Sequence, residues 1–281
     1  MEGVCIGILA GILLLFGLYL YLIAPNLLRR KKGLKPPSPS YFAHRGLHDE
    51  ETPENSLAAF QRAIDGGYGI ELDVRLSRDG ALVVYHDPSA LRLCGVDSLI
   101  EKMTLSELRE LRLKGTAEGI PTLREALEAI GGRVPLIVEI KADQPLGANL
   151  ASRAYEECLR EYQGEWWVES FDPRIVRWFR KNVPEAVRGQ LAYDPAKIGK
   201  DRPLLMALGA HLLMNALSRP DFVAYGCKTR QNPSFRLMKR LFRPVLVAWT
   251  VESEEESQQL NGQFDAQIFE GFMPSALIKR S

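Results

Sequence analysis

Four short stretches of the chain combine acids, bases and cations at spacings that suit one chemistry. They are Ala43-His44-Arg45-Gly46, Ile70-Glu71-Leu72-Asp73, Tyr85-His86-Asp87 and Val138-Glu139-Ile140-Lys141. Each ends, or lies just inside, a run of strand-forming residues. Side chains two apart on a strand point to the same side, so Glu71 and Asp73 aim together, as do Glu139 and Lys141. Three carboxylates converging on one point make a hard, oxygen-lined site for one divalent metal, Ca²⁺ or Mg²⁺. His44 and His86 are two of only four histidines. An ordinary imidazole pKa of about 6.5 lets one accept a proton and the other donate one at neutral pH. Arg45 can grip a phosphate oxygen bidentately, and Lys141 can add a point charge. Together these are the tools for moving a phosphoryl group with a metal.

Taken singly, each pair has a plainer reading. Glu71 with Arg75, or Glu139 with Lys141, is a solvated strand end with a casual ion pair, and a lone histidine is a packed or surface residue. Their shared strand-end placement reverses that preference, because catalytic groups gather on the C-terminal rim of a parallel barrel. Asp87 either orients His86 or caps the turn that follows.

Those strand ends need a parallel sheet to bring them together. From Tyr41 onward, strand-like and helix-like patterns alternate. Strands are expected at 41–43, 69–76, 82–85, 134–140, 166–170, 187–191, 221–225, 245–250 and 266–269. Helices are expected at 55–64, 104–113, 122–130, 149–162, 173–182, 204–216, 233–242 and 253–260. Thr104 with Glu107 and Thr122 with Glu125 are capping boxes, and Pro173 suits the first turn of its helix. About eight βα units favour a closed TIM (β/α)8 barrel with helices outside. Residues 89–99 read as an excursion, a small insertion after an early strand.

Composition adds bounds. The chain has 281 residues, 46% hydrophobic and 25% charged, with formal net charge +1, so nothing calls for a nucleic-acid partner. The four cysteines (Cys5, Cys94, Cys158 and Cys227) form no Cys-x-x-Cys pair, which disfavours a structural zinc site or a disulfide framework. Residues 4–24 carry no charge and no proline, and as a helix they reach about 31 Å against a hydrocarbon core of about 30 Å. A cleaved signal peptide fits poorly, since Met1-Glu2-Gly3 offers no Lys or Arg. We therefore expect a retained transmembrane helix within 1–28, a basic, proline-rich linker over 29–40, and one catalytic domain over 41–281. Arg29, Arg30, Lys31 and Lys32 form a positive flank that places the domain on the cytoplasmic side, and their second possible use is to hold anionic headgroups. Pro36, Pro37 and Pro39 make the linker a stiff, short spacer.

His-Arg-Gly, Pro53-Glu54-Asn55-Ser56, Glu-Leu-Asp, His-Asp and Glu-Ile-Lys, in this order and spacing, resemble the glycerophosphodiester phosphodiesterase family. The resemblance runs from about Tyr41 to the C-terminus. His-Arg-Gly-Leu, Cys94-Gly95-Val96-Asp97 and Glu169-Ser170-Phe171-Asp172-Pro173 bring it nearest the membrane-anchored Gram-positive bacterial branch. It implies a TIM barrel that cleaves glycerophosphodiesters to glycerol 3-phosphate and an alcohol. Carried over, it makes Glu71, Asp73 and Glu139 the metal ligands and His44 and His86 the general acid–base pair. Arg45 and Lys141 become phosphate contacts, Trp249 an aromatic wall, and the segment from His86 to about Pro121 a cover for the glycerol end. One departure stands out: many members end the last strand with Thr-Asp, where this chain has Phe269-Glu270. Two alternatives remain, a lysophospholipase D acting on single-chain lipids at the membrane, and a non-catalytic module that binds glycerophosphodiesters. Lys228 reads more simply as a surface lysine than as a further phosphate contact. The attacking group is either water or the substrate's own 2-hydroxyl.

Overall fold

The computed structural model describes residues 2–28, 33–141, 147–199 and 203–275. The basic run Arg29–Lys32 lies outside them. Eight parallel strands form the barrel: β1 (Tyr41–Ala43), β2 (Gly69–Leu76), β4 (Leu136–Ile140), β5 (Trp166–Ser170), β6 (Val187–Ala192), β7 (Phe222–Gly226), β8 (Val245–Val251) and β9 (Ala266–Phe269). Pairing runs β2–β4–β5–β6–β7–β8–β9–β1, and β1 pairs again with β2, which closes the ring. Helices lie between successive strands and cover the outside, as the alternating pattern requires.

One expected strand takes a different role. The run expected at 82–85 forms β3 (Leu82–Val84), which pairs antiparallel with the far end of β2, Val74 opposite Val84 and Leu76 opposite Leu82. β2 therefore overruns the barrel rim as half of a hairpin. The following segment packs its own small core from Val83, Tyr85, Ala90, Leu93, Ile100, Leu108, Leu113 and Ile120. This is the expected insertion. It is anchored by the two capping boxes at Thr104 and Thr122, both formed as the sequence indicates.

Strand alternation sorts the side chains into two layers. Leu72, Val74, Val138, Ile140, Val168, Val223 and Ala248 face the helices, where they meet Phe60, Ala63, Leu127, Phe179 and Phe235. The residues one step along, among them Phe42, Ile137, Trp167, Phe222, Val247 and Ile268, pack against each other inside the barrel. By the same parity Glu71, Asp73, Glu139 and Glu169 point inward, above an apolar plug.

That plug is close-packed. A Cβ on Gly189 would sit 2.2 Å from Cζ of Phe222, and one on Gly69 would sit 2.6 Å from the Phe42 ring. Glycine at these two positions makes room for a phenyl ring, so large and small residues alternate around the interior.

Three expectations need revision. The helix expected at 55–64 begins later, at Leu57–Asp65, because Asn55 has φ +56 and Ser56 is the N-cap. The helix expected at 204–216 is broken into Leu204–Ala210 and Asn215–Ser218, with Leu212 between them at φ +58. Third, the proline-rich connector does not act as a spacer. The apolar helix Glu2–Ile23 docks directly on the barrel wall: Ile23 is fully buried and its carbonyl accepts from Asn215 Nδ2 at 2.9 Å. Residues 33–40 of the connector run under the base of the barrel, where Leu34 packs on the interior plug and the Ser40 carbonyl accepts from Gln267 N at 2.8 Å.

Gly189→Ala is expected to destabilise the fold by about 1–3 kcal/mol, the usual cost of overpacking a filled core. Thermal unfolding checks this, and Gly189→Ala combined with Phe222→Leu should recover most of the loss.

Candidate active site

The site is built on the C-terminal rim of the barrel. Register places Asp73 of β2 beside Glu139 of β4, and Glu139 beside Glu169 of β5. Glu71 lies one inward step below Asp73. Glu71, Asp73 and Glu139 are all buried and offer oxygen atoms within 4.8 Å of one another. Lys141 Nζ sits between two of them, 2.8 Å from Asp73 Oδ1 and 2.6 Å from Glu139 Oε2. A trio of hard oxygens that already accommodates one cationic head has the right donor chemistry for a divalent ion.

Burial sets the electrostatics. Burial pushes the Glu71 carboxyl well above the ordinary range, with the negative charge of Asp73 and Glu139 adding to it. Burial and the neighbouring Glu139 do the same to Glu169. Asp73 is the exception: burial opposes its charge, but Lys141 and Arg45 outweigh burial and hold it ionised well below the carboxylate range. Four buried carboxyls thus face two cations, and the shortage of positive charge is concentrated at Glu71 and Glu169.

The His-Arg-Gly turn follows β1. Arg45 takes φ +56, an uncommon backbone for a non-glycine residue, and two hydrogen bonds pin it there: Arg45 N donates to Glu71 Oε2 at 3.1 Å, and the Arg45 carbonyl accepts from Asn55 N at 2.8 Å. Gly46 follows at φ +81, and a Cβ there would meet Ala59 Cβ at 2.8 Å, so the third motif position requires glycine. The Arg45 side chain donates to Glu54 Oε1 at 2.7 Å and lies 3.4 Å from Asp73 Oδ2. Asn55 Nδ2 also donates to Asp73 Oδ2, at 2.8 Å. The Pro53-Glu54-Asn55-Ser56 motif is therefore a brace that orients Arg45 and Asp73.

Each histidine is held by a carboxylate. His44 Nδ1 lies 2.6 Å from Glu270 Oε2, and its Nε2 lies 3.9 Å from Glu71 Oε2. His86 Nδ1 lies 2.6 Å from Asp87 Oδ1. A carboxylate only accepts, so Nδ1 carries the hydrogen in both, and Nε2 is left to the site. Burial lowers His44, against its hydrogen bond to Glu270, and burial lowers His86 to about 4, against the charge of Asp73. Asp87 thus orients His86. Arg92 of the insertion ties the two halves together, donating to Asp87 Oδ2 at 2.5 Å and to both Glu54 oxygens at 2.7 Å.

Trp249, at the rim end of β8, forms an edge-on cluster with Phe171 (centroids 5.4 Å apart) and Tyr193 (5.7 Å), whose rings are 6.0 Å from each other. Lys228 is half-exposed and paired with Glu252 at 2.5 Å, as a surface lysine is. All eight residues singled out by sequence stand on this rim. Sequence reasoning left Glu54, Asn55, Arg92, Glu169 and Glu270 without roles. Glu54, Asn55 and Glu169 lie in quoted motifs, and Glu169 and Glu270 stand at or just past the ends of their strands at inward parity, which is the signal that finds them. Arg92 carries no such signal.

A family model, the glycerophosphoryl diester phosphodiesterase family, matches residues 44–265. A glycerophosphodiester phosphodiesterase of Caldanaerobacter subterraneus subsp. tengcongensis is 32% identical over 236 residues, which cover 78% of this chain and 88% of that one. Among solved structures, an Oleispira antarctica phosphodiesterase in complex with the product sn-glycerol-3-phosphate is 26% identical and superposes with a TM-score of 0.68, covering 84% of this chain and 94% of its own. The glycerophosphodiester phosphodiesterase of Thermotoga maritima is 27% identical with a TM-score of 0.64, covering 82% and 93%. The family match over most of the barrel, with these relatives alongside it, establishes that the chain belongs to the glycerophosphoryl diester phosphodiesterase family, enzymes that hydrolyse glycerophosphodiesters.

Proposed function

We propose that this site hydrolyses a glycerophosphodiester to glycerol 3-phosphate and an alcohol, with His44 and His86 as the acid–base pair. The observation that carries this reading is the pairing of each imidazole with its own carboxylate beside one buried cluster of acids. Burial favours the neutral ring, which is the form that accepts a proton at Nε2. Glu270 or Asp87 then stabilises the imidazolium that results. One histidine removes a proton from the attacking hydroxyl, which is water or the substrate's own 2-hydroxyl. The other starts as its imidazolium, with its charge held by its own carboxylate, and gives its Nε2 proton to the departing alcohol oxygen as the bond to phosphorus breaks, ending neutral.

Glu71, Asp73 and Glu139 would hold one divalent cation, Ca²⁺ or Mg²⁺. When bound, such an ion neutralises charge on the phosphate oxygens. Arg45, fixed by Glu54, contacts the phosphate through its guanidinium, and Lys141 adds a second positive charge there. Glu169 widens the acidic ring, its carboxyl pushed above the ordinary range by burial. The three rings of Phe171, Tyr193 and Trp249 form an apolar wall for the substrate.

The domain division follows the same lines: a membrane helix within 1–28, a connector over 29–40, and the catalytic barrel over 41–281. Residues 4–23 form a helix of sufficient length and apolarity to cross a bilayer. Support for a retained helix comes from its last turn. Tyr19 donates from its hydroxyl to Ser234 Oγ at 2.7 Å, and Arg219 Nη1 donates to the Tyr21 and Ala24 carbonyls at 2.9 and 2.7 Å, so the turn is part of the barrel wall. The positive flank at 29–32 favours the cytoplasmic side for the barrel. Proximity to a bilayer favours a second reading, hydrolysis of lysophospholipids by the same chemistry.

His44→Ala and His86→Ala are each expected to lower turnover of glycerophosphocholine by about 10²–10⁴-fold with an unchanged unfolding temperature; near-normal rates in either would remove that residue from the mechanism. EDTA should abolish glycerol 3-phosphate release, and Ca²⁺ or Mg²⁺ should restore it, the better of the two identifying the ion. Glu270→Gln should cut kcat by about tenfold or more while leaving KM close to that of the native chain, because the amide stabilises the imidazolium less well.

A further inference from the structure

The Glu2–Ile23 helix and the polypeptide before β7 run side by side in the same direction, tied at three levels. Tyr19 OH and His211 Nδ1 share Ser234 Oγ, at 2.7 and 2.8 Å. The Ile23 carbonyl accepts from Asn215 Nδ2. Asn26 N donates to the Pro220 carbonyl and Asn26 Nδ2 to Asp221 Oδ1, both at 2.8 Å. Pro220 and Asp221 immediately precede β7, at the base of the barrel. Ala210, whose carbonyl accepts from Tyr225 OH at 2.9 Å, is level with the rim end of that strand. Both segments therefore descend from rim to base, so the turns immediately before Tyr19 and His211 lie on the rim side.

Two apolar surfaces lie there together. Residues 4–18 of the first helix are exposed almost throughout. On the neighbouring segment Leu204, Leu205 and Met206 are 75%, 74% and 46% exposed. Leu204 and Leu205 are the most exposed large hydrophobic residues among the described residues of the barrel. Length then decides how the two surfaces are used. With its last turn committed to the barrel wall, the helix has about 15 free residues, or about 22 Å, against a hydrocarbon core of about 30 Å. A span that short draws the attached rim against the headgroups, where exposed leucines stop being a liability.

The geometry points to a bilayer-facing active site: the barrel's catalytic rim lies against the membrane surface, and Leu204, Leu205 and Met206 enter the headgroup–acyl boundary as a second contact beside the anchoring helix. The inference rests on the membrane reading of residues 4–23 and goes beyond it, since an anchor alone leaves the orientation of the barrel free. The connector of 33–40 does not separate the two parts, because the helix docks before it begins. A substrate would then reach Arg45 and Lys141 from the lipid surface, past the exposed edge of Phe171.

The test uses the full chain in phosphatidylcholine nanodiscs containing lipid with a nitroxide near the headgroup. Single cysteines are introduced as Leu14→Cys, Leu205→Cys and Leu241→Cys, each in a Cys5→Ser, Cys94→Ser background, and carry an environment-sensitive fluorophore. Cys158 and Cys227 are buried and stay unlabelled. Leu241, 49% exposed, ends the helix that returns to the base before β8 and marks the opposite pole. Positions 14 and 205 are expected to lose most of their emission, and position 241 to keep it. Quenching at 14 without quenching at 205 overturns the orientation and leaves the anchor standing, as does quenching at 14 and 241 together without 205. No quenching at 14 overturns the anchor reading and the orientation with it. All three positions are exposed, so none of the labels disturbs the core.

Discussion

The structure is arranged around the burial of four carboxyl groups in one polar ring at the mouth of a barrel. Glu71, Asp73, Glu139 and Glu169 lose most of their contact with water, and an isolated buried carboxylate is strongly unfavourable. Lys141 and Arg45 offset part of that cost, and Asp73, which touches both, is the group they keep ionised. Glu71 and Glu169 remain the places where charge is least compensated. A site with that imbalance favours the arrival of more positive charge, and its three converging acids are the donors a divalent ion prefers.

Everything nearby serves to hold that ring. The left-handed turn at Arg45 delivers a backbone N–H to Glu71 and a guanidinium toward Asp73, and Asn55 fills the remaining side of Asp73. Glu54 restrains Arg45 and is itself restrained by Arg92, which reaches on to Asp87 and so to His86. The insertion between β3 and β4 is thereby wired to the acid–base machinery. At the other side Glu270, which directly follows the last strand, holds His44. The interior plug beneath, with phenyl rings over Gly69 and Gly189, keeps water from entering the ring from below.

The N-terminal helix belongs to the same architecture. Its final turn is sealed to the wall by Tyr19, Ile23 and Arg219, and the connector passes beneath the base. Attachment through a docked turn transmits orientation, whereas attachment through a flexible spacer transmits only distance. That difference is why the place of the free apolar length relative to the rim matters for how a substrate approaches.

Much of this was legible in the amino-acid order. Alternation of period two and helical period marked the barrel, strand parity put Glu71 with Asp73 and Glu139 with Lys141, and the capping boxes at Thr104 and Thr122 stand where local spacing puts them. These are local signals, set by backbone geometry within a few residues. What the order alone left open depends on contacts between distant parts: the antiparallel turn of β3, the break near Leu212, Arg92 bridging Glu54 and Asp87, Glu270 on His44, and the docking of the helix through Asn215 and Ser234. Residues far apart in the chain acquire such roles only when the barrel closes, because the cost of an unpaired buried charge is defined by neighbours that the fold, and not the sequence interval, brings within reach.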